Sequence, residues 1–393
     1  MNNSKDLSKT YFKNLDALRF FSFLLVFISH VTIFLGYESN NYYFGLAKKF
    51  FLIHGDLGVN FFFVLSGFLI TFLLLSEKDK YQKISLPHFY LRRVLRIWPL
   101  YFLTLILGFF IIYPFALSSG IIFPFLTAET YSSLPWYIFL GANIKMAFFG
   151  AGSVVLAVLW SISIEEQFYL IWPTILSFVS RKNIIKVLLL IITISFFYRF
   201  FYYDNYNIVK YSTFSVMSDL AIGALLAYIT LYIPKIILII KNCPKNVIKL
   251  IYICGFILVP LRTLLPLIFN GYSYRILYSL EPIIFSLFFA FIILEQNTAQ
   301  NSFIKFGRSK VINYLGVRSY GLYCYHMIAI FCTFYIFHLF GVSNVNNSVP
   351  IYLGEIVLSF LLVAMFSIIS YRYFEKKLLN LKEKYGYKNI KMM

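Results

Sequence analysis

Residues 15–31 read LDALRFFSFLLVFISHV, an apolar run that carries Arg19 near its start and His30 deep within it. A run of this length and apolarity suits a helix crossing a bilayer. Eleven residues make three helical turns to within about 20°, so Arg19 and His30 share one face, roughly 16 Å apart along the axis. Ionisable groups inside a membrane helix are costly, which makes each one a candidate for function. Lys5, Lys9 and Lys13 precede the run and no small-residue cleavage site follows it, so it reads as an uncleaved first span rather than a signal peptide.

The rest of the chain has the same character. Its 393 residues are 60% hydrophobic and 21% aromatic, more apolar surface than a soluble core can hide. Apolar windows place spans near 17–36, 58–76, 97–117, 159–180, 184–203, 213–233, 248–269, 274–294, 319–340 and 351–374. The expected fold is therefore an all-α polytopic membrane protein of about ten helices in one bundle. Residues 1–14 form an N-terminal segment, 15–375 the membrane domain and 376–393 a basic tail. The net charge of +19 raises the question of nucleic acid, but its placement excludes that partner. If the N-terminus is cytoplasmic, the inside segments hold about 27 of the 35 Lys and Arg, which puts both termini in the cytoplasm by the positive-inside rule. The basic segments then face anionic headgroups.

Residues 134–150 are moderately apolar but contain Asn143 and Lys145. Counting them as a span would invert every later loop, so they are expected to be re-entrant or interfacial on the outer side. Cys243, Cys254, Cys324 and Cys332 lack CxxC or metal-type spacing and read as buried thiols, with no metal site expected.

Five constellations could carry chemistry. Asp16 and Arg19 are i and i+3 and can pair, while His30 can act as a base toward a hydroxyl delivered to it; a snorkelling anchor and a packing residue are the plain alternatives. GDLGVNFFFVLSGFLI from Gly55 sets Ser66 among glycines that allow close helix approach. FYLRRVLRIWPLYF places Arg92, Arg93 and Arg96 before Trp98 and Pro99; Arg93 and Arg96 share a face suited to phosphate, and the cluster reads as abutting a Trp-Pro helix start. In LWSISIEEQFYLIWP, Ser161, Glu165 and Tyr169 follow one another at i+4 and line one stripe, beside Ser163. SYGLYCYHMIAI brings Ser319, Tyr320, Tyr323 and His326 to the ninth span; an interfacial aromatic belt explains the tyrosines but not the histidine.

In this order, these segments resemble acyltransferase family 3, integral-membrane enzymes that O-acylate bacterial envelope glycans and some other acceptors. Arg19 and His30 match an Arg/Lys-x10-His motif, Arg93 and Arg96 an RxxR motif, and Ser163 with Glu165 a WSLxxExxFY block. GVNFFFVLSGF, SYGLYCYHM and the terminal SYRYFEKK, which carries Glu375, match further blocks. Many members have GVD where this chain has Gly58, Val59 and Asn60. Many also carry a C-terminal SGNH hydrolase-like domain, which is not expected here, so the membrane domain should complete the transfer.

The resemblance implies a multi-pass enzyme of the bacterial inner membrane with no tightly bound cofactor and acyl-CoA, foremost acetyl-CoA, as co-substrate. Its phosphates would lie on Arg93 and Arg96, with Arg92 nearby, and its pantetheine arm, on the order of 15 to 20 Å, matches the rise between Arg19 and His30. His30 would be a general base or an acyl carrier toward a glycan hydroxyl of O-antigen, capsule, exopolysaccharide or similar. Glu165 would orient or charge-balance His30, and Arg19 would stabilise phosphate or thioester oxygen. The rival reading is a lipid-linked oligosaccharide flippase or polymerase, although the paired broken helices common in transporters are not evident. A structural or regulatory membrane protein is a third. Oligomeric state is left open.

Overall fold

A computed structural model describes residues 13–35, 45–46, 50, 54–119, 131–150, 152–342 and 349–384. Most of the N-terminal segment and residues 385–393 of the tail lie outside the described residues.

Among the described residues, ten helices are long and apolar enough to cross a membrane. Their principal segments are α1 (Lys13–Leu35), α2 (Asp56–Tyr81), α3 (Leu86–Ile106), α4 (Leu159–Phe178), α5 (Arg181–Phe201), α6 (Thr213–Tyr232), α7 (Lys245–Ile268), α8 (Gly271–Thr298), α9 (Ser319–Leu339) and α10 (Val349–Ser370). Beyond α3 the helix continues through a π-turn at Leu107–Ile112 to Ser118, and beyond α10 through another at Tyr371–Glu375 to Lys384.

The expected spans correspond to these helices, with one informative difference. The third helix begins at Leu86 rather than near 97, so Arg92, Arg93 and Arg96 lie inside it, and the Trp98–Pro99 pair sits mid-helix instead of starting it. The start is set by Pro87 in the first turn, where a missing N–H costs nothing. The arginines can enter the helix because each meets a polar partner or the cavity described below.

Helix α2 is the most deeply packed span. Its seam with α6 is made by two glycines: a Cβ on Gly67 would lie 2.0 Å from the Leu220 carbonyl oxygen, and one on Gly223 would lie 2.1 Å from that of Val64. Backbones this close exchange side-chain volume for dispersion contact, the usual solution where lipid supplies no hydrophobic drive. At the other end of α2, Lys78 donates to the carbonyls of Leu176 (2.6 Å) and Val179 (2.9 Å). Those carbonyls lie at the C-terminal end of α4, where a cation offsets unpaired acceptors and the helix dipole. Trp172 of α4 donates to the Thr71 hydroxyl at 2.8 Å, locking α4 to α2 in rotation.

Residues 134–150 form two short helices, Leu134–Ile138 and Ala142–Phe149, rather than a span. Asn143, the residue that argued against crossing, is fully buried and donates to the Tyr211 carbonyl (3.2 Å) and the Thr213 hydroxyl (3.0 Å). Gln167 of α4 in turn donates to Asn143 Oδ1 at 2.8 Å and to the Leu140 carbonyl at 3.0 Å. The segment is thus pinned to α4 and the start of α6 by an amide network. The cysteines depart in part from expectation: Cys324 is buried, Cys243 and Cys332 are partly exposed, and Cys254 is exposed; Cys254 lies on α7, which turns much of its surface outward, where lipid rather than protein can cover it.

Candidate active site

A cavity of about 160 Å³ lies between α1, α2, α3, α4 and α9. Its polar wall gathers Arg19, Ser66, Arg93, Arg96, Ser161, Glu165, Tyr169, Ser319, Tyr320 and Tyr323. Three guanidinium groups and one carboxylate thus converge from three helices, each from a segment that the sequence marked separately. The apolar lining includes Phe62, Phe63 and Ile162, which sequence reasoning could not single out because an apolar residue in an apolar helix carries no signal. A space of roughly 150 Å³ holds a ring the size of benzene, so the enclosed part of this cavity is of a size for a small acyl thioester.

Local geometry explains the convergence. Arg93 and Arg96, one turn apart, face the cavity together, and the Arg93 guanidinium lies over the rings of Phe89 (5.7 Å) and Tyr169 (5.8 Å), a cation–π setting that fixes its plane. Arg19 is held by Asp16 at 2.7 Å, the i,i+3 pair expected; Asp16 supports the wall without lining it. The stripe on α4 also forms as expected. Glu165 accepts from the Ser66 hydroxyl through Oε1 (2.7 Å) and from the Tyr169 hydroxyl through Oε2 (3.2 Å), while Ser161 shares a 2.7 Å hydrogen bond with the Tyr323 hydroxyl.

His30 and His326 lie behind this wall, not in it. His30 Nδ1 is 2.9 Å from His326 Nε2, and His326 Nδ1 is 2.5 Å from the Tyr323 carbonyl oxygen. The Tyr323 ring stands against Phe62 on the cavity side (5.7 Å) and against His326 on the other (5.5 Å). Two histidines 296 residues apart in the chain thus form one unit, separated from the arginines by a single aromatic residue. His326 is wholly buried, whereas His30 keeps partial exposure. His30 thus meets His326, while Glu165 is engaged with Ser66 and Tyr169.

Two expected members stand apart. Arg92 turns away from the cavity to Glu77 at 3.7 Å, and Glu77 also accepts the Ser85 backbone N–H at 3.0 Å, so this pair braces the α2–α3 turn. Ser163 is fully buried and bonds back to the Leu159 carbonyl at 3.1 Å, a local helical contact. Glu375 lies on the α9–α10 seam, accepting from Ser370 at 3.1 Å. Asn60 is partly exposed on α2.

A bundle of ten helices of membrane-spanning length, with a cavity walled by three arginines and backed by a histidine pair, defines the class: a polytopic membrane protein. The sequence profile described as an acyltransferase domain (Acyl_transf_3) matches residues 12–370, and the chain belongs to the acyltransferase 3 family. It is 31% identical over 385 residues to the O-acetyltransferase OatA of Staphylococcus aureus strain NCTC 8325 / PS 47, covering 94% of this chain and 58% of that protein. OatA of strain MRSA252 matches with the same figures. The chain thus spans less than two thirds of the length of the curated relatives it matches. No solved structure matches it.

Proposed function

We propose that the protein is a membrane O-acyltransferase that moves a short acyl group, with acetyl the first candidate, from acyl-CoA to a hydroxyl of an envelope glycan. The observation that carries this reading is the cavity wall of Arg19, Arg93 and Arg96 backed, across Tyr323, by the His30–His326 pair. Clustered guanidinium groups suit phosphate and developing oxyanions, and an imidazole is the commonest base for a hydroxyl. The relatives' names, which state O-acetyl transfer, support the same chemistry.

In this scheme the CoA phosphates sit toward Arg93 and Arg96 and the thioester reaches inward past Glu165. The acceptor hydroxyl gives its proton to His30, its oxygen attacks the thioester carbonyl, the C–S bond breaks, and the CoA thiolate takes up a proton. In this scheme the donor is cytoplasmic and the acceptor meets the site from the outer side of the cytoplasmic membrane, a reading that the positive-inside distribution of Lys and Arg supports.

Purified protein in proteoliposomes, given radiolabelled acetyl-CoA and envelope polysaccharide, should transfer label to the glycan, and His30→Ala should abolish transfer while leaving membrane insertion intact. Polysaccharide translocation or polymerisation without consumption of acyl-CoA would instead establish the flippase or polymerase reading.

A further inference from the structure

The hydrogen bonds around the two histidines determine which nitrogen of His30 carries the lone pair. A carbonyl oxygen only accepts, so His326 Nδ1, 2.5 Å from the Tyr323 carbonyl, must carry a proton. In neutral imidazole the other nitrogen is then an acceptor, which makes His326 Nε2 the acceptor of the 2.9 Å bond to His30. His30 Nδ1 must donate, and its Nε2 is left as the basic nitrogen. The chain of donation runs from His30 through His326 to the backbone of α9.

We infer that His326 is a positioning residue for His30: by accepting from Nδ1 it fixes the tautomer that presents Nε2 as base, and its own seat on the Tyr323 carbonyl fixes its orientation. This rests on the reading of His30 as the base in the proposed transfer. The roles are not interchangeable. Both His326 nitrogens are committed, one to His30 and one to the Tyr323 carbonyl, and the residue is wholly buried, with Phe23 edge-on at 6.2 Å, whereas His30 retains exposure. A base needs its second nitrogen directed at substrate; an orienting group needs the opposite. The same division of labour, a buried acceptor holding the Nδ1–H of a reactive imidazole, recurs wherever a histidine works from Nε2. On its own helix His326 faces Tyr323.

The test uses two substitutions of unequal chemistry in the full-length chain. His326→Gln can place its amide oxygen where Nε2 now accepts, whereas His326→Phe fills the space without an acceptor. Turnover should fall at least 100-fold in His326→Phe with the KM for acetyl-CoA and thermal unfolding in detergent little changed, and His326→Gln should recover at least tenfold over Phe. Equal turnover in the two variants, whether both active or both inactive with the fold intact, would overturn the inference. A His30→Ala variant assayed in parallel separates the hypotheses: activity surviving there refutes the role of His30 itself, whereas its loss with an active His326→Phe refutes only the orienting role.

Discussion

The indole N–H of Trp98 lies 2.7 Å from Glu166 Oε2, and this bond assigns the two adjacent glutamates of α4 to different duties. Neighbouring helical residues point about 100° apart, so Glu165 meets the cavity while Glu166 ties α4 to α3. Glu166→Ala should strand a donor and remove a buried acceptor, lowering stability by about 1–3 kcal/mol with the KM for acyl-CoA nearly unchanged. Glu165→Ala also strands donors, those of Ser66 and Tyr169, but unlike Glu166→Ala it should raise the KM for acyl-CoA. Thermal unfolding and steady-state kinetics on the two variants check the split, and matching profiles would show that the glutamates act as one unit.

The arginines divide in the same way. Arg93→Gln and Arg96→Gln each remove a charged cavity donor, so acyl-CoA affinity should fall by about 1.5–3 kcal/mol per residue. Arg92→Gln should instead weaken the brace to Glu77, at about 3 kcal/mol in stability, and leave affinity alone. Isothermal titration with a non-hydrolysable acyl-CoA analogue separates them; a loss of affinity from Arg92→Gln would place the third arginine on the donor after all.

Glycine substitutions should rank by what the new methyl group meets. At Gly67 it lies 2.0 Å from a backbone oxygen, at Gly255 it lies 2.2 Å from the ring of Phe288. A ring can swing aside and a packed helix backbone cannot, so Gly67→Ala should lower the unfolding temperature in detergent well below that of Gly255→Ala. The opposite ranking would mean that the α2–α6 seam is looser than described.

Topology is open to direct chemistry. Ser132 lies between the third and fourth helices and Asn301 between the eighth and ninth, so the two are on opposite sides of a ten-helix protein. With the native cysteines replaced, an impermeant thiol reagent on intact spheroplasts should label a cysteine at Ser132 and spare one at Asn301. Labelling of both would require residues 134–150 to cross.

Much of the fold was legible because membrane helices announce themselves by length and apolarity, and because Asn143 and Lys145 argued against an eleventh crossing. The i,i+4 stripe of Ser161, Glu165 and Tyr169 was equally legible, since helical geometry alone decides it. The start of α3 was not: its arginines resemble loop charge until the Glu77 partner and the cavity are seen. Nor was the His30–His326 contact, which joins two residues that sequence reading had marked in different segments for different reasons. Periodicity speaks within a helix, and only tertiary packing decides which helices meet.

The glycine seam also constrains motion. Ser66 is adjacent to Gly67, whose backbone is pressed against α6, so the wall that holds Glu165 through Ser66 has no room to recede. Any widening of the cavity therefore falls to the opposing wall, where Arg93 and Arg96 of α3 and the tyrosines of α9 stand. The cavity resembles a vice with one fixed jaw, and Glu165 is bonded to that jaw through Ser66.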